Sequence, residues 1–342
     1  LSGPFTVECW VRLNPGITDA DGILGHPDVL SMNFYDETFR VWIAGRGDIA
    51  IATRKMTPDT WTHLAVTRDA EGTIRIYVNG DLSTESTERN TSPLAGLHVG
   101  RTAIRDRGTD GVLAEFRIWD VARSPNQIRD NFDRSFAGEE RPDGLAHYFA
   151  GTDWGTLSGN AQVQPTLEGP LLLDAEQAKR QTALFAKYRQ LAEQPGDAAA
   201  GQARFTKTCL VCHQHRGTGG KLGPALDGIG LTETESLLRN ILTPSAAMEG
   251  GYRTYQVLTY SGQVIQGMLV SQDEHAVILR QPEIADKRIL KSDIERAGFT
   301  SLSVMPLRLL DDLQPQDVSD LFAHLRSLKQ SVTSVPSQPG AE

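Results

Sequence analysis

The sequence has too few cysteines for a fold held together by disulfides, since only three occur among its 342 residues. It also lacks any apolar run approaching the roughly 18–20 residues that a membrane helix requires, so no transmembrane segment is expected. Positive charge is in deficit, with 34 lysine and arginine residues against 43 aspartate and glutamate residues. At a net charge of −9, nucleic acid is not an expected partner, whereas a basic protein face would suit the chain.

The length favours two domains and a connector, because 342 residues exceed what one ordinary hydrophobic core accommodates. A hydrophobic content of 39% and a charged content of 23% are typical of a globular protein. The chain opens with Leu1-Ser2-Gly3-Pro4 and shows neither an initiator methionine nor a signal peptide. We therefore expect further sequence upstream of residue 1.

Two of the three cysteines lie in the run Cys209-Leu210-Val211-Cys212-His213, which has the spacing of a c-type haem attachment site. Two thiols on one helical turn can form thioethers to both vinyl groups of a haem, and His213 can then ligate the iron. A redox CxxC would fit better beside a βαβ pattern. A structural zinc site needs four ligands, and the remaining cysteine, Cys9, lies far upstream. A coincidental match to so short a pattern is the third alternative.

Helical patterns surround this motif. Asp197 is a candidate N-cap for a helix that places Gly201, Phe205 and Cys209 on one face. Near the C-terminus, Pro315 fits the first turn of a second helix. The apolar stripe of that second helix consists of Val318, Leu321, Phe322, Leu325 and Leu328.

Two helices that cross at a small residue, such as Gly201, are similar to the cytochrome c arrangement. More specifically, residues 200–328 resemble the planctomycete-type haem-binding domain family of c-type cytochromes. The resemblance is carried by Cys209 to His213, Gly223-Pro224, Ile241 to Ser245, Gly251-Tyr252, Gly262, Gly267, Asp293-Ile294-Glu295, Ser303 to Pro306 and Asp317 to Leu321.

This resemblance implies one covalent haem c and assigns two further residues. The carbonyl of Pro224 is expected to accept the remaining N–H of His213, which fixes the ring and tunes the iron. Met305 is the expected sixth ligand, because it precedes the C-terminal helix. The other candidates are Met248, Met268, His215, His275 and His324. The long interval between His213 and Met305 is explained by an insertion with alternating, strand-like sequence over about 252–295.

The first half of the chain alternates between apolar and polar residues, which is typical of β-strands. The pattern is clearest from Phe5 to Leu13 and returns at 39–43, 73–78 and 114–119. Asn79-Gly80 is a strong hairpin signal. This half resembles the laminin-G-like, concanavalin-type jelly-roll family over most of residues 3–151. The matching segments are Phe5 to Leu13, Trp61 to Arg68, Ile76 to Gly80, Leu97 to Gly100 and Leu113 to Ser124.

The jelly-roll fold does not by itself select a ligand. Trp10, Trp42, Trp61 and Trp119 could stack on sugars, but their strand positions favour packing, and Trp154 is better placed on a loop. Calcium is not predicted, although the Asp-rich loops at 19–22 and 106–111 could supply oxygen ligands.

We therefore expect a multidomain protein in which an all-β antiparallel jelly-roll sandwich precedes a mainly α cytochrome c domain with a β insertion. The expected boundaries are 1–170 for the sandwich, 171–196 for a helical connector, 197–330 for the cytochrome domain and 331–342 for a flexible tail. The expected function is electron transfer outside the cytoplasm, with a dehydrogenase or another cytochrome as redox partner. Two alternatives remain open: a polysaccharide- or protein-binding module with an auxiliary haem, and a haem enzyme or gas sensor with an open sixth position.

Overall fold

The computed structural model describes residues 1–104, 108–151, 154, 156–158, 160–163, 169–246, 248, 251–282 and 285–329. The chain divides after Lys179 into two compact units. The tail expected at 331–342 lies outside the described residues. Among the described helices, none combines the length and the apolar character needed to cross a membrane.

The first unit is built almost entirely of antiparallel strands, as its alternating sequence predicts. They are β1 (Phe5–Leu13), β2 (Gly22–His26), β3 (Leu30–Tyr35), β4 (Thr38–Ile43), β5 (Gly47–Lys55), β6 (Thr62–Arg68), β7 (Thr73–Val78), β8 (Asp81–Arg89), β9 (His98–Val99), β10 (Gly111–Trp119) and β11 (Leu145–Phe149). One short helix, α1 (Pro125–Arg129), follows β10. The hairpin between β7 and β8 turns at Asn79 and Gly80, which both have positive φ as the sequence signal requires.

These strands form two sheets that pack as a sandwich. One sheet has the order β11-β10-β1-β6-β7-β8, and the other has the order β5-β4-β3-β2-β9. Val7, Cys9 and Val11 alternate into the shared core, where they meet Met32, Phe34 and Val41 of the opposite sheet. Burial of these apolar faces is the main stabilising contribution to such a sandwich.

The outer face of the six-stranded sheet is also buried. Glu8 and Trp10 alternate with the core residues of β1 and therefore point away from the other sheet, yet both are buried. Phe132, in the segment after α1, packs against Trp10 and His63, and Phe136 packs against Trp119. The segment after α1 covers this face, so the outward side chains of β1, β6 and β10 form a second core that is partly charged.

The second unit begins within a long helix. Its helices are α2 (Ala175–Glu193), α3 (Ala198–Thr208), α4 (Thr234–Leu242) and α5 (Pro315–Ser327). They enclose a core that contains Tyr188, Phe205, Leu238, Leu321 and Phe322. The helix expected to act as a connector thus packs into this unit, where Ser319 donates to the carbonyl of Leu191 and Arg189 pairs with Glu235.

The same unit carries the expected β insertion. After a small hairpin of β12 (Gln214–His215) and β13 (Thr218–Gly219) come β14 (Arg253–Thr259), β15 (Val264–Gln272), β16 (Ala276–Arg280), β17 (Lys287–Leu290) and β18 (Ile294–Ser303). The last five form one antiparallel sheet in the order β17-β16-β15-β14-β18. The insertion therefore extends to Ser303, beyond the expected end near residue 295, because β18 pairs with the whole length of β14.

Candidate functional site

Helix α3 leads directly into the CxxCH motif. The Asp197 side chain caps the helix by accepting from the amides of Ala199 and Ala200, at 2.8 and 3.4 Å. Cys209 is the C-cap, and its carbonyl accepts from the amides of Cys212 and His213, at 3.1 and 2.9 Å. These two backbone hydrogen bonds form a turn that brings both thiols and the imidazole into one compact segment, as the spacing of the motif predicts.

The helix that carries the motif is held by a close crossing with α5. A methyl group at Gly201 would collide with the carbonyl group of Asp320 and lie 2.9 Å from Cβ of His324. A methyl group at Gly196 would likewise collide with the backbone of α5, since it would lie 2.3 Å from the carbonyl oxygen of Ser319. Since no side chain fits at either glycine, the helix crossing expected at Gly201 depends on the absence of Cβ.

The ring of His213 is oriented by one hydrogen bond. Its Nδ1 lies 2.7 Å from the carbonyl oxygen of Pro224, and because a carbonyl can only accept, Nδ1 carries the proton and donates. Nε2 is then the nitrogen left with a lone pair for a metal. The contact expected between His213 and Pro224 is therefore present in the structure, while its role in tuning an iron stays a prediction.

Gly223 contacts the same ring, a role that the sequence did not reveal. A Cβ at this position would lie 2.7 Å from Nδ1 and 2.9 Å from Nε2 of His213, well inside van der Waals contact. Glycine is therefore required here for the chain to pass along the imidazole edge. The Gly-Pro pair was the available signal, but it does not show which side chain the glycine touches.

The protonation states in the motif are set mainly by burial. Burial raises the pKa of the Cys209 thiol to about 12, with a smaller contribution from Cys212, so this thiol is protonated at neutral pH. No disulfide joins Cys209 and Cys212. Burial lowers the pKa of His213 despite the opposing effect of the Pro224 carbonyl, so the imidazole is neutral. A neutral imidazole is the form that ligates a metal.

The loop after the motif folds back over it. The amides of Leu222 and Gly223 both donate to the carbonyl of Cys212 at 2.9 Å, and the amide of Gly220 donates to the carbonyl of Leu210 at 2.8 Å. At Gly220 a Cβ would overlap the carbonyl of Val211. This close wrapping fixes Gly223 and Pro224 relative to His213.

Met305 belongs to a different part of the unit. It is half-buried, follows β18 and precedes α5, and its amide donates to Oγ of Ser303 at 3.1 Å. Its assignment as sixth ligand stays a prediction. Arg308 nearby is 82% exposed and pairs with Asp311 at 2.6 Å, so its charge is directed to the surface.

The histidine alternatives are engaged elsewhere. Nδ1 of His215 lies 3.5 Å from Asp227, and the ring meets Phe205 edge-on. His324 is buried on α5 with Nδ1 3.1 Å from the carbonyl of Ala198. His275 sits in an exposed turn closed by Asp273. Of the remaining methionines, Met268 lies on β15 opposite Thr254 and Arg280, and Met248 follows α4 and is half-buried.

In the sandwich, two of the tryptophans are structural. Trp10 donates from Nε1 to the carbonyl of Phe132 at 2.9 Å, and Trp119 donates to Glu8 at 2.8 Å. Both rings are buried, which excludes them as sugar platforms. Trp42 is half-buried, and Trp61 lies beneath the guanidinium of Arg12.

Glu8 lies at the centre of a buried charge cluster that sequence analysis missed. Its Oε1 accepts from Arg123 at 2.8 Å and lies 3.4 Å from Arg117, while its Oε2 lies 3.6 Å from Nε2 of His63. Burial alone would raise the pKa of Glu8, but Arg123, His63 and Arg117 together hold it well below its usual range. Alternation predicted only that Glu8 points away from the inner core, not that a second layer would cover it.

The edge of the sandwich at β11 presents a groove of about 560 Å³. Its walls include Leu24, Leu97, Asp120, His147 and Phe149. The ring of His147 stacks on Phe149 and Phe149 stacks on Trp154, with centroids 6.3 and 6.1 Å apart. Trp154 is thus part of an aromatic row, and the two partners on β11 are the residues that sequence analysis overlooked.

In the first of the two Asp-rich loops, the carboxylate of Asp21 is used within the fold. Both carboxylate oxygens of Asp21 accept from backbone amides, those of Thr18 and Asp110. Residues 105–107 of the second loop lie outside the described residues. Across the part of the chain that the structure describes, no group of three or more His, Cys, Asp and Glu side chains is arranged to hold a metal ion.

Comparison with protein families identifies both halves. Residues 1–129 match the family model of the concanavalin A-like lectin/glucanase superfamily, and residues 198–286 match that of cytochrome c. These matches confirm the expected pair of domains, a jelly-roll sandwich followed by a cytochrome c domain. A search of curated proteins finds no match.

Solved structures are similar over less than half of the chain. A proposed carbohydrate-binding protein from Bacteroides ovatus is 25% identical, with 46% of this chain and 48% of that chain covered and a TM-score of 0.38. A pentraxin from Limulus polyphemus is 14% identical, with 42% and 75% covered and a TM-score of 0.32. The receptor-binding domain of botulinum neurotoxin type G is 11% identical, with 38% and 37% covered and a TM-score of 0.31. Similarity at this level identifies no ligand for this chain.

Proposed function

We propose that this chain, which joins a concanavalin-like sandwich to a cytochrome c domain, binds one haem c covalently and carries electrons outside the cytoplasm. The observation that supports this most strongly is the contact between Nδ1 of His213 and the carbonyl of Pro224. It leaves Nε2 as the nitrogen that would ligate the iron, and it orients a neutral ring beside two thiols that no disulfide joins.

The donor set of the motif fits haem c. Cys209 and Cys212 would hold the porphyrin through thioethers, His213 would be the proximal ligand, and Met305 the distal one. When bound, such a haem supplies a reversible ferric/ferrous couple whose potential is raised by methionine ligation. Pro224 and Gly223 hold the imidazole in one tautomer and one orientation, and the apolar side chains around Phe205 and Leu238 exclude water.

The partner proposed for this domain is a redox protein, either a dehydrogenase or another cytochrome. Covalent haem attachment in bacteria takes place outside the cytoplasm, which is why a periplasmic or other extracytoplasmic location is proposed. The sandwich would then dock the cytochrome domain to its partner or to a surface.

Visible spectroscopy of the full chain matured with the haem-ligation machinery tests this function. We expect a c-type spectrum with a far-red sulfur-to-iron band that Met305→Ala removes and Met268→Ala retains. Rapid carbon monoxide binding by the reduced wild-type protein, without the far-red band, would instead indicate an open sixth position. Colourless protein would contradict haem binding altogether.

The groove at β11 favours a second function, binding of a polysaccharide by the sandwich. Aromatic faces pack against the C–H faces of sugars, and Asp120 and His147 line the same groove and can bond hydroxyl groups. Glucanase chemistry is disfavoured at the buried carboxylates, since Glu8 and Glu115 are both shielded from solvent.

Affinity electrophoresis of the full chain in gels that contain laminarin or xylan tests sugar binding. We expect retardation that Phe149→Ala and Trp154→Ala abolish. Tyr35→Ala removes an exposed ring of the other sheet and should leave the retardation unchanged. Equal migration of wild-type protein with and without either polysaccharide would count against this second function.

A further inference from the structure

Strand β18 contains a bulge just before Met305. Arg253 pairs with Ser303 and Tyr255 pairs with Phe299, so two residue steps on β14 correspond to four on β18. Extra residues in one strand bend it and redirect the side chains that follow. The residues after the bulge are Ser303, Val304 and Met305.

Specific side chains stabilise the bulge. Oγ1 of Thr300 donates to the carbonyl of Thr254 at 3.2 Å and accepts from the amide of Leu302 at 3.1 Å. Nε of Arg253 donates to the carbonyl of Thr300 at 3.1 Å. Thr300 takes part in all three of these hydrogen bonds, which hold the bent strand against β14.

Two serines then fix the chain that leaves the bulge. The amide of Ser303 donates to Oγ of Ser245 at 3.0 Å, and Oγ of Ser303 accepts from the amide of Met305 at 3.1 Å. Between them, the amide of Val304 donates to the carbonyl of Tyr252 at 2.9 Å. Two of these bonds tie the exit of the sheet to the segment after α4 and to its entrance at Tyr252, and the third holds Met305 to Ser303.

We propose that Ser303 and Ser245 are positioning residues for the sixth ligand. In this proposal, the pairing of β14 with β18 fixes the position of the Met305 backbone in the cytochrome domain. This inference rests on the proposed function, in which Met305 ligates the haem iron. A thioether is a weak ligand, so any freedom of its backbone competes with ligation. Hydrogen bonds that already order this backbone before ligation reduce the conformational entropy that is lost when the thioether binds.

The test uses the full chain matured with haem and measures how fast carbon monoxide replaces the sixth ligand in the reduced protein. Ser303→Ala is expected to accelerate this replacement about fivefold, the factor that corresponds to one lost hydrogen bond, and to weaken the far-red band. Ser245→Ala should act in the same direction. Ser303→Thr keeps the hydroxyl group and should restore both readouts.

Ser301→Ala is the matched control, because Ser301 lies on the same strand and its hydroxyl is not part of the hydrogen bonds that hold Ser303 and Met305. It should leave the rate and the band unchanged. Unchanged rates in both Ser303→Ala and Ser245→Ala would overturn the inference. Survival of the far-red band in Met305→Ala would instead overturn the proposed ligation itself, so the two failures are distinguishable.

Discussion

The two units are held together in different ways. The sandwich buries charge: Glu8, Arg117 and Arg123 lie together beneath the segment that follows β10. In the cytochrome unit, close backbone contacts at glycines hold the candidate site, with Gly196 and Gly201 against α5 and Gly223 against His213. We therefore expect the buried cluster of the sandwich to be sensitive to changes of charge and these glycines of the cytochrome unit to be sensitive to added volume.

Formal charge divides along the same boundary. Residues 1–179 contain 26 acidic and 17 basic side chains, whereas residues 180–342 contain 17 of each. The whole net charge of −9 thus belongs to the sandwich. The expectation of a basic partner face, drawn from total charge, therefore applies to the sandwich and not to the cytochrome unit.

The largest effect is expected from Glu8→Gln. This change leaves Arg123 and Arg117 buried with less opposing charge, and breaking a buried pair in this way costs about 3–5 kcal/mol. Urea unfolding followed by tryptophan fluorescence isolates the sandwich, because all five tryptophans lie in residues 1–179. Glu85→Gln is the control, since it removes an exposed partner of Arg75 and should cost less than about 1 kcal/mol. Equal losses in the two variants would refute a special role for the buried cluster.

Gly201→Ala should destabilise the cytochrome unit by at least about 2 kcal/mol. The added methyl group collides with the backbone of α5, and such overpacking separates helices that cross closely. Thermal unfolding followed by helical circular dichroism measures the loss. Gly298→Ala adds the same group where no heavy atom lies within 4 Å, so it should be tolerated. A wild-type unfolding temperature for Gly201→Ala would contradict the close crossing.

The smallest effect concerns the pH dependence of the sandwich. Burial lowers the pKa of His63, an effect that the proximity of Glu8 only partly offsets, so the unfolded chain binds a proton at this site more readily than the folded one. Stability is therefore lost as the pH falls below the ordinary value of 6.5, by up to about 1.4 kcal/mol per pH unit. The low pKa of Glu8 contributes only below its ordinary value of 4.5, so within the sandwich, which the tryptophan signal reports, the interval between these values separates His63 from Glu8.

Unfolding by urea at several pH values between 6.5 and 4.5 measures this slope. His63→Gln should flatten it relative to the wild-type protein. An identical slope in the two proteins would show that His63 does not gain a proton on unfolding.

Much of the fold follows from local sequence patterns. Alternation located β1 and β7 to the residue, and the N-cap at Asp197 and the first-turn proline Pro315 located the starts of α3 and α5. The CxxCH spacing and the Gly223-Pro224 pair brought the proximal side of the candidate site together. These features depend on residues that are close in the sequence, which is why they can be recognised from a single sequence without the structure.

Other features depend on contacts between distant segments. Alternation showed that Glu8 faces away from the inner core, but not that Arg117 and Arg123 would meet it there. The helical connector expected at 171–196 gave no indication of the unit into which it would pack. The bulge before Met305 arises from the pairing of β18 with β14, and no pattern within either strand encodes that register alone.

The central claim, one haem fixed covalently at the CxxCH motif, is tested most directly by mass spectrometry of the matured protein after proteolysis. The peptide that contains Cys209, Cys212 and His213 should carry the mass of one haem. Cys209→Ala combined with Cys212→Ala should remove that added mass. An unmodified motif peptide, or a protein that binds zinc in place of haem, would contradict the account.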